Sequence, residues 1–219
     1  VTGLRSNHFI DLQSNILVID GHAKRVALYT ELLLTELERR GFQQIKQTEI
    51  LKIKRATLLH DIGKCFIPKA ILDKKGPLTD EEFSIVKLHT LKGAELIARC
   101  EDILECHETA LSVARDITLC HHERWDGKGY PYRLSGNKIP FYAQVVSLAD
   151  QYDALRSKRC YKGAYSHASV VKIIAEERDQ AFQPGLVDAF LNVQDLFGYL
   201  AYSEEKMPEE EAAHIYGTN

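Results

Sequence analysis

His121-His122-Glu123-Arg124-Trp125-Asp126-Gly127-Lys128-Gly129-Tyr130-Pro131 ends one kind of pattern and begins another. Upstream, Ala114, Ile117 and His121 recur at helical spacing. That spacing predicts a helix from Thr109 to Glu123 that points His121 inward with His122 beside it. Downstream, Gly127 and Gly129 give a loop backbone freedom and Pro131 stiffens it. A helix whose apolar face runs into two imidazoles contributes polar donors to an interior, and helices facing one another supply such donors from several sides.

Outward from this stretch the chain reads as further helices broken by turn chemistry, with little strand-like alternation. Val26, Leu28, Tyr29, Leu32, Leu33 and Leu37 fit a helix from about Asp20 that stops at Gly41. Residues Ile50 to Ile62 give a second, with Gly63 as its stop. Thr79-Asp80-Glu81-Glu82 is a capping box that opens a third, running through His89 toward Ile97. Pro140 suits the first turn of a helix that carries Val145, Val146, Leu148 and Asp150. Two more, His167 to Ala181 and Pro184 to Tyr202, complete an all-α bundle of about seven helices. The longer connections are Cys65 to Leu78 and Trp125 to Ile139. The parsimonious division is one domain over residues 1–202 and an acidic tail over 203–219 that lacks an apolar face.

Composition narrows the classes. A 219-residue chain with 45% apolar residues can bury a substantial core. With 28 basic and 31 acidic residues the formal charge is −3, so no global basic field argues for duplex nucleic acid. Five cysteines, Cys65, Cys100, Cys106, Cys120 and Cys160, show no Cys-x-x-Cys spacing and are odd in number, which favours reduced thiols in the cytoplasm. No apolar run reaches the roughly 18 residues of a membrane span, and no signal peptide is visible. The chain begins with Val1, which leaves room for a sensory domain upstream, and the sequence is equally compatible with a homodimer.

The chemistry lies in residues that interrupt apolar stretches. His22, His60, Asp61, His89, His121, His122 and Asp150 offer enough nitrogen and oxygen ligands for two metal ions, and a dinuclear phosphohydrolase site is the reading they favour. On a helix end His60 and Asp61 would lie about 100° apart and share a cavity only at its edge. Asp150 and Asp153 are spaced i, i+3 on one face, so one can ligate while the other orients a ligand. By contrast His8, His107, His167 and His214 read as ordinary surface or core histidines, and Trp125 as a core anchor.

The ordered set Leu58-Leu59-His60-Asp61-Ile62-Gly63-Lys64, Ile67-Pro68, Leu78-Thr79, His89 with Gly93, the His121 to Pro131 stretch, Ala149-Asp150 and Arg159 with Tyr161-Lys162 resembles the HD-GYP domains, a branch of the HD phosphohydrolase superfamily. The resemblance covers nearly all of the chain, from His22 to Pro184. It implies hydrolysis of cyclic di-GMP to pGpG or onward to GMP. It further implies that His22, His60, Asp61 and Asp150 hold one ion while His89, His121, His122 and the bridging Asp61 hold a second. Lys64 would stabilise charge on the phosphate or leaving group, Arg159 and Lys162 would grip phosphate oxygens, and Tyr130 would contact the nucleotide. Iron is the metal the resemblance favours, manganese the second; a thiolate-free, carboxylate-bridged histidine site also suits nickel or zinc.

Four positions depart from that pattern. Val18 stands where some family members carry a Glu that adds a third metal, so two ions are expected here. Lys69, Cys160 and Gln183 replace a frequent acid, proline and aspartate. None of the four removes an expected ligand; together they leave open linear dinucleotides, other cyclic dinucleotides, or a slow-turnover receptor role.

Overall fold

The computed structural model describes residues 21–104, 109–157 and 164–206. Among these the chain is helical: α1 (Gly21–Arg39), α2 (Gln47–Thr57), the single turn α3 (Lys69–Leu72), α4 (Asp80–Leu104), α5 (Thr109–Cys120), α6 (Phe141–Arg156), α7 (His167–Glu176) and α8 (Pro184–Lys206). Seven of these are longer than one turn, as the periodicity predicts. Two 3₁₀ turns, Ile62–Phe66 and Gly136–Lys138, lie in the long connections. The only sheet-like feature among the described residues is an isolated bridge between Arg178 and Phe182.

The bundle is organised on α1. Val26, Tyr29, Leu33 and Leu37, spaced three or four apart, are fully buried, and α1 packs on α2, α6 and α8. At the core the Tyr29 ring stacks on Phe197 with centroids 4.5 Å apart, and Tyr152 meets Phe197 edge-on at 5.0 Å. Such aromatic pairs add about 0.5–1.5 kcal/mol beyond the area they bury. The helix ends follow sequence chemistry. Gly41 takes the left-handed conformation (φ +67°) just after α1. Thr79 and Glu82 form a reciprocal cap on α4, the Glu82 amide donating to Thr79 Oγ1 at 3.2 Å and the Thr79 amide to Glu82 Oε2 at 2.8 Å.

The second helix departs from expectation where it bears on the site. It ends at Thr57, not at Ile62, and the backbone tightens into successive i→i−3 hydrogen bonds at Leu58, Leu59, His60, Ile62 and Lys64. Gly63 is therefore not a left-handed helix stop. A Cβ on it would lie 1.9 Å from the His89 carbonyl oxygen, and a Cβ on Gly93 would lie 2.6 Å from Thr118 Cγ2. Gly63 lets the His60–Lys64 turn meet α4 at backbone distance, and Gly93 makes room for the Thr118 methyl of α5. Three further helices end elsewhere than expected: α5 stops at Cys120, placing His121 and His122 in the turn after it, α7 stops at Glu176, and α8 runs past Tyr202 to Lys206.

Candidate metal centre

Each buried histidine is aimed by its own chain. His60 Nδ1 donates to the Thr57 carbonyl at 2.9 Å, His89 Nδ1 to Val86 at 2.7 Å, and His121 Nδ1 to Ile117 and Thr118, both at 3.1 Å. A carbonyl can only accept, so the proton sits on Nδ1 and the Nε2 lone pair points the other way. All three Nε2 atoms are buried without a hydrogen-bond partner, as is Asp61 Oδ1. Four such atoms in one place would each cost about 1–3 kcal/mol unless something else satisfies them.

They face one carboxylate. Asp61 Oδ1 lies 3.4 Å from His89 Nε2 and 3.9 Å from His121 Nε2, while Oδ2 lies 3.4 Å from His60 Nε2 and 3.7 Å from His22 Nε2. Asp150 Oδ1 adds a contact of 3.3 Å to His22 and 4.0 Å to His60. Two donors that each sit about 2.1 Å from one cation stand roughly 3.0–3.6 Å apart; three of these six separations, at 3.3–3.4 Å, lie in that range and the other three, at 3.7–4.0 Å, lie just above it. The donor atoms of Asp61, His89, His121 and His122 lie within 4.8 Å of one another, and so do those of His22, His60 and Asp61. The residues present thus fit a histidine- and carboxylate-bound metal.

The surroundings differ on the two sides of Asp61. Burial disfavours charge on His22, but the carboxylates of Asp150, Asp153 and Asp61 overcome it and raise the imidazole to about 11. Burial likewise opposes charge on Asp61, yet His60, Lys64 and His22 hold it well below the usual carboxylate range. Across the bridge burial dominates: His89 and His121 are lowered, and His122 falls to about 4. That side is a set of neutral imidazoles, the form a metal takes.

Asp153 touches none of the other candidate ligands except His22. Its Oδ2 accepts from His22 Nδ1 at 2.7 Å, and Arg25 binds it in a fork, Nε to Oδ1 at 2.6 Å and Nη2 to Oδ2 at 2.9 Å. Lys64 Nζ is paired with Asp61 Oδ2 and its side chain remains 43% exposed, so it stands at the mouth of the site. Tyr130 stacks on His122 with centroids 4.7 Å apart and an angle of 28°. Arg159 and Lys162 lie outside the described residues, as does Val18.

Sequence reasoning missed two supports. Glu123 reads as the last residue of the helix that opens at Thr109, but it lies past the helix end and is buried, and its carboxylate accepts the amides of Tyr132 at 2.7 Å and Leu134 at 3.0 Å, folding the loop back on itself. A Cβ on Gly129 would lie 2.5 Å from Glu123 Cα, so only glycine allows that fold. Arg25, one helical turn after His22, was the available signal for a partner to Asp153. Trp125 is a correction: it is half-buried at the surface, its Nε1 donating to Asp179 Oδ1 at 3.2 Å and its backbone amide to the Ala181 carbonyl at 3.0 Å. It pins the loop to the turn before α8 instead of anchoring the core.

Five histidines and two aspartates converging inside a helical bundle define a class of helical proteins whose interior could hold metal ions. Residues 13–186 match the family model for the HD domain, and the chain belongs to that family. It is similar to a cyclic di-GMP phosphodiesterase of Vibrio cholerae serotype O1, 46% identical over 143 residues, covering 65% of this chain and 29% of that protein. A 3'3'-cGAMP-specific phosphodiesterase of the same organism is 36% identical over 176 residues, covering 80% of this chain and 31% of the relative. The chain thus spans about a third of the length of the curated relatives it matches. A solved HDG"Y"P protein from Bdellovibrio bacteriovorus shares the fold, with a TM-score of 0.60, 18% identity and coverage of 81% of this chain and 53% of that one.

Proposed function

We propose that this domain is a metal-dependent phosphodiesterase that opens cyclic di-GMP to linear pGpG, with GMP as the product of a second cut. The observation that carries the reading is Asp61, whose two oxygens face two separate sets of imidazole nitrogens, with the Nε2 atoms of His60, His89 and His121 buried and unpartnered among them. His22, His60 and Asp150 on one side, and His89, His121 and His122 on the other, would hold two divalent ions, iron foremost and manganese second. Bound there, the ions would supply Lewis acidity and a water of lowered pKa for attack on phosphorus.

The chain's own groups do the rest. Lys64, at the mouth, would release Asp61 to place its ammonium on the phosphate or leaving-group oxygen. Asp153, fixed by Arg25, keeps the His22 proton on Nδ1 so that Nε2 stays a donor. Tyr130 offers the nucleotide a ring and hydroxyl beside His122, and Arg159 and Lys162 would bind phosphate oxygens. Cys65, Cys100 and Cys120 are free thiols, which supports a cytoplasmic setting. The relatives run well beyond the matched region, and a sensory domain upstream and a homodimer are part of this proposal. No described helix is long and apolar enough to cross a membrane.

A second reading, hydrolysis of a mixed cyclic GMP–AMP dinucleotide, draws support from the similarity to the cGAMP-specific relative. Incubating anaerobically iron- or manganese-loaded protein with cyclic di-GMP, the mixed dinucleotide and pGpG separates the readings. Cyclic di-GMP cleavage that Asp61→Ala abolishes is expected; tight binding without turnover in either metal would overturn the enzyme reading. Elemental analysis should give two ions per chain, and three would refute the argument from Val18.

A further inference from the structure

Beside the centre lies a groove of about 810 Å³ that shares His122 with the metal cluster. Phe83 and Lys87 of α4 line it, with Tyr130 and Arg133 of the loop and Ser147 and Gln151 of α6. Phe83 is 42% exposed, unusual for a large aromatic on an amphipathic helix. Its ring meets Tyr130 at 6.2 Å and 83°, and the Lys87 ammonium sits 4.5 Å from the Phe83 centroid and 5.6 Å from that of Tyr130. Ser147 and Gln151 are one helical turn apart, so their polar ends share one wall, and Gln151 follows Asp150 directly. The Gln151 amide makes no hydrogen bond among the described residues.

We infer that this groove takes one guanine base of the dinucleotide whose phosphate lies at the metal centre, and that Gln151 reads the edge of that base. The inference rests on the cyclic di-GMP reading above. Aromatic faces accept any base by stacking, so they bind without choosing. The choice comes from the polar groups. Guanine presents two acceptors, O6 and N7, which suit the Lys87 and Arg133 cations, whereas adenine turns an amino donor toward them. A glutamine amide can accept from guanine N1–H or the N2 amino group through Oε1 while donating to O6 or a ribose oxygen through Nε2. No side chain of Glu or Asp on this wall competes for the cations except Glu123, whose carboxylate is already taken by backbone amides.

The test uses manganese-loaded protein and two substrates: cyclic di-GMP, and bis(p-nitrophenyl) phosphate, a phosphodiester without a base. For each variant the quantity of interest is kcat/KM on cyclic di-GMP divided by kcat/KM on the base-free diester, which normalises for metal content and folded fraction. Gln151→Leu and Phe83→Ala are each expected to lower that ratio by about 10-fold or more, chiefly through KM on cyclic di-GMP. Either variant leaving the ratio within about twofold of the wild type, while the wild type cleaves cyclic di-GMP, overturns the groove assignment and leaves the phosphodiesterase reading standing. Wild-type protein that cleaves only the base-free diester overturns both.

Discussion

The two sides of Asp61 hold a similar number of donors but are built differently. On the His22, His60 and Asp150 side a second carboxylate joins the bridge, and a third, Asp153, backed by Arg25, stands behind His22. On the His89, His121 and His122 side the donors are imidazoles; His89 and His121 are steered by backbone carbonyls and desolvated by the helices around them. The first arrangement concentrates negative charge and depends on side chains converging from α1, the 57–61 turn and α6. The second depends on local backbone geometry and dryness. The contrast teaches that one half is vulnerable to single side-chain changes at a distance, and the other mainly to loss of a ligand itself.

Removing the bridge should erase the distinction. In Asp61→Ala both ions are expected to be lost on gel filtration, read by elemental analysis, together with hydrolysis; retention of two ions would show that the halves do not share this carboxylate. Next in size is Lys64→Ala, expected to slow turnover by about 10²-fold or more with metal content intact. Turnover equal to wild type would remove Lys64 from the chemistry. Asp153→Asn sharpens the comparison: it turns an acceptor for both His22 and Arg25 into a partial donor and should weaken one ion by about 10-fold while the other stays, a change visible as two separated phases in chelator competition. Uniform weakening of both ions would mean that the halves are not independent.

The smallest expected effect is a control away from the centre. Glu36 is buried against Arg39, which donates to both its oxygens at 2.7 and 2.8 Å, and against Asn192 at 3.0 Å. Arg39 foremost lowers its carboxyl to about 2, against an opposing contribution from burial. A depressed folded pKa gives stability that is present above the ordinary pKa near 4.5 and drains away as pH falls toward about 2. The Tm gap between wild type and Glu36→Gln should therefore be widest at neutral pH and narrow below pH 4.5, with metal stoichiometry unaffected at neutral pH. A gap that is constant across that window would contradict the ion-pair assignment.

Much of this was legible in the order of residues. The apolar period placed the long helices, and His60, Asp61, His89, His121 and His122 stood out because they break apolar faces where a lone polar group is costly. What the pattern could not give was the backbone between elements. A helix ending at Thr57 and one continuing to Ile62 present the same apolar residues, and the choice is made by Gly63 and Gly93 packing backbone to backbone, a tertiary contact with no local signature. Glu123 escaped for a similar reason: a glutamate at the end of an expected helix reads as solvent-facing until the amides that it receives, nine and eleven residues later, are folded over it.

The hydrogen bonds from the Nδ1 atoms to carbonyls one turn back have a consequence for anyone who wants this centre to prefer another metal. With His60, His89 and His121 oriented by the peptide units of their own segments, rotating a ring by mutating a neighbouring side chain has little purchase. On the three-histidine side, moving His89 means shifting α4, which Gly63 of the His60–Lys64 turn meets at backbone distance and whose Gly93 meets the Thr118 methyl of α5, so the packing leaves little slack for it.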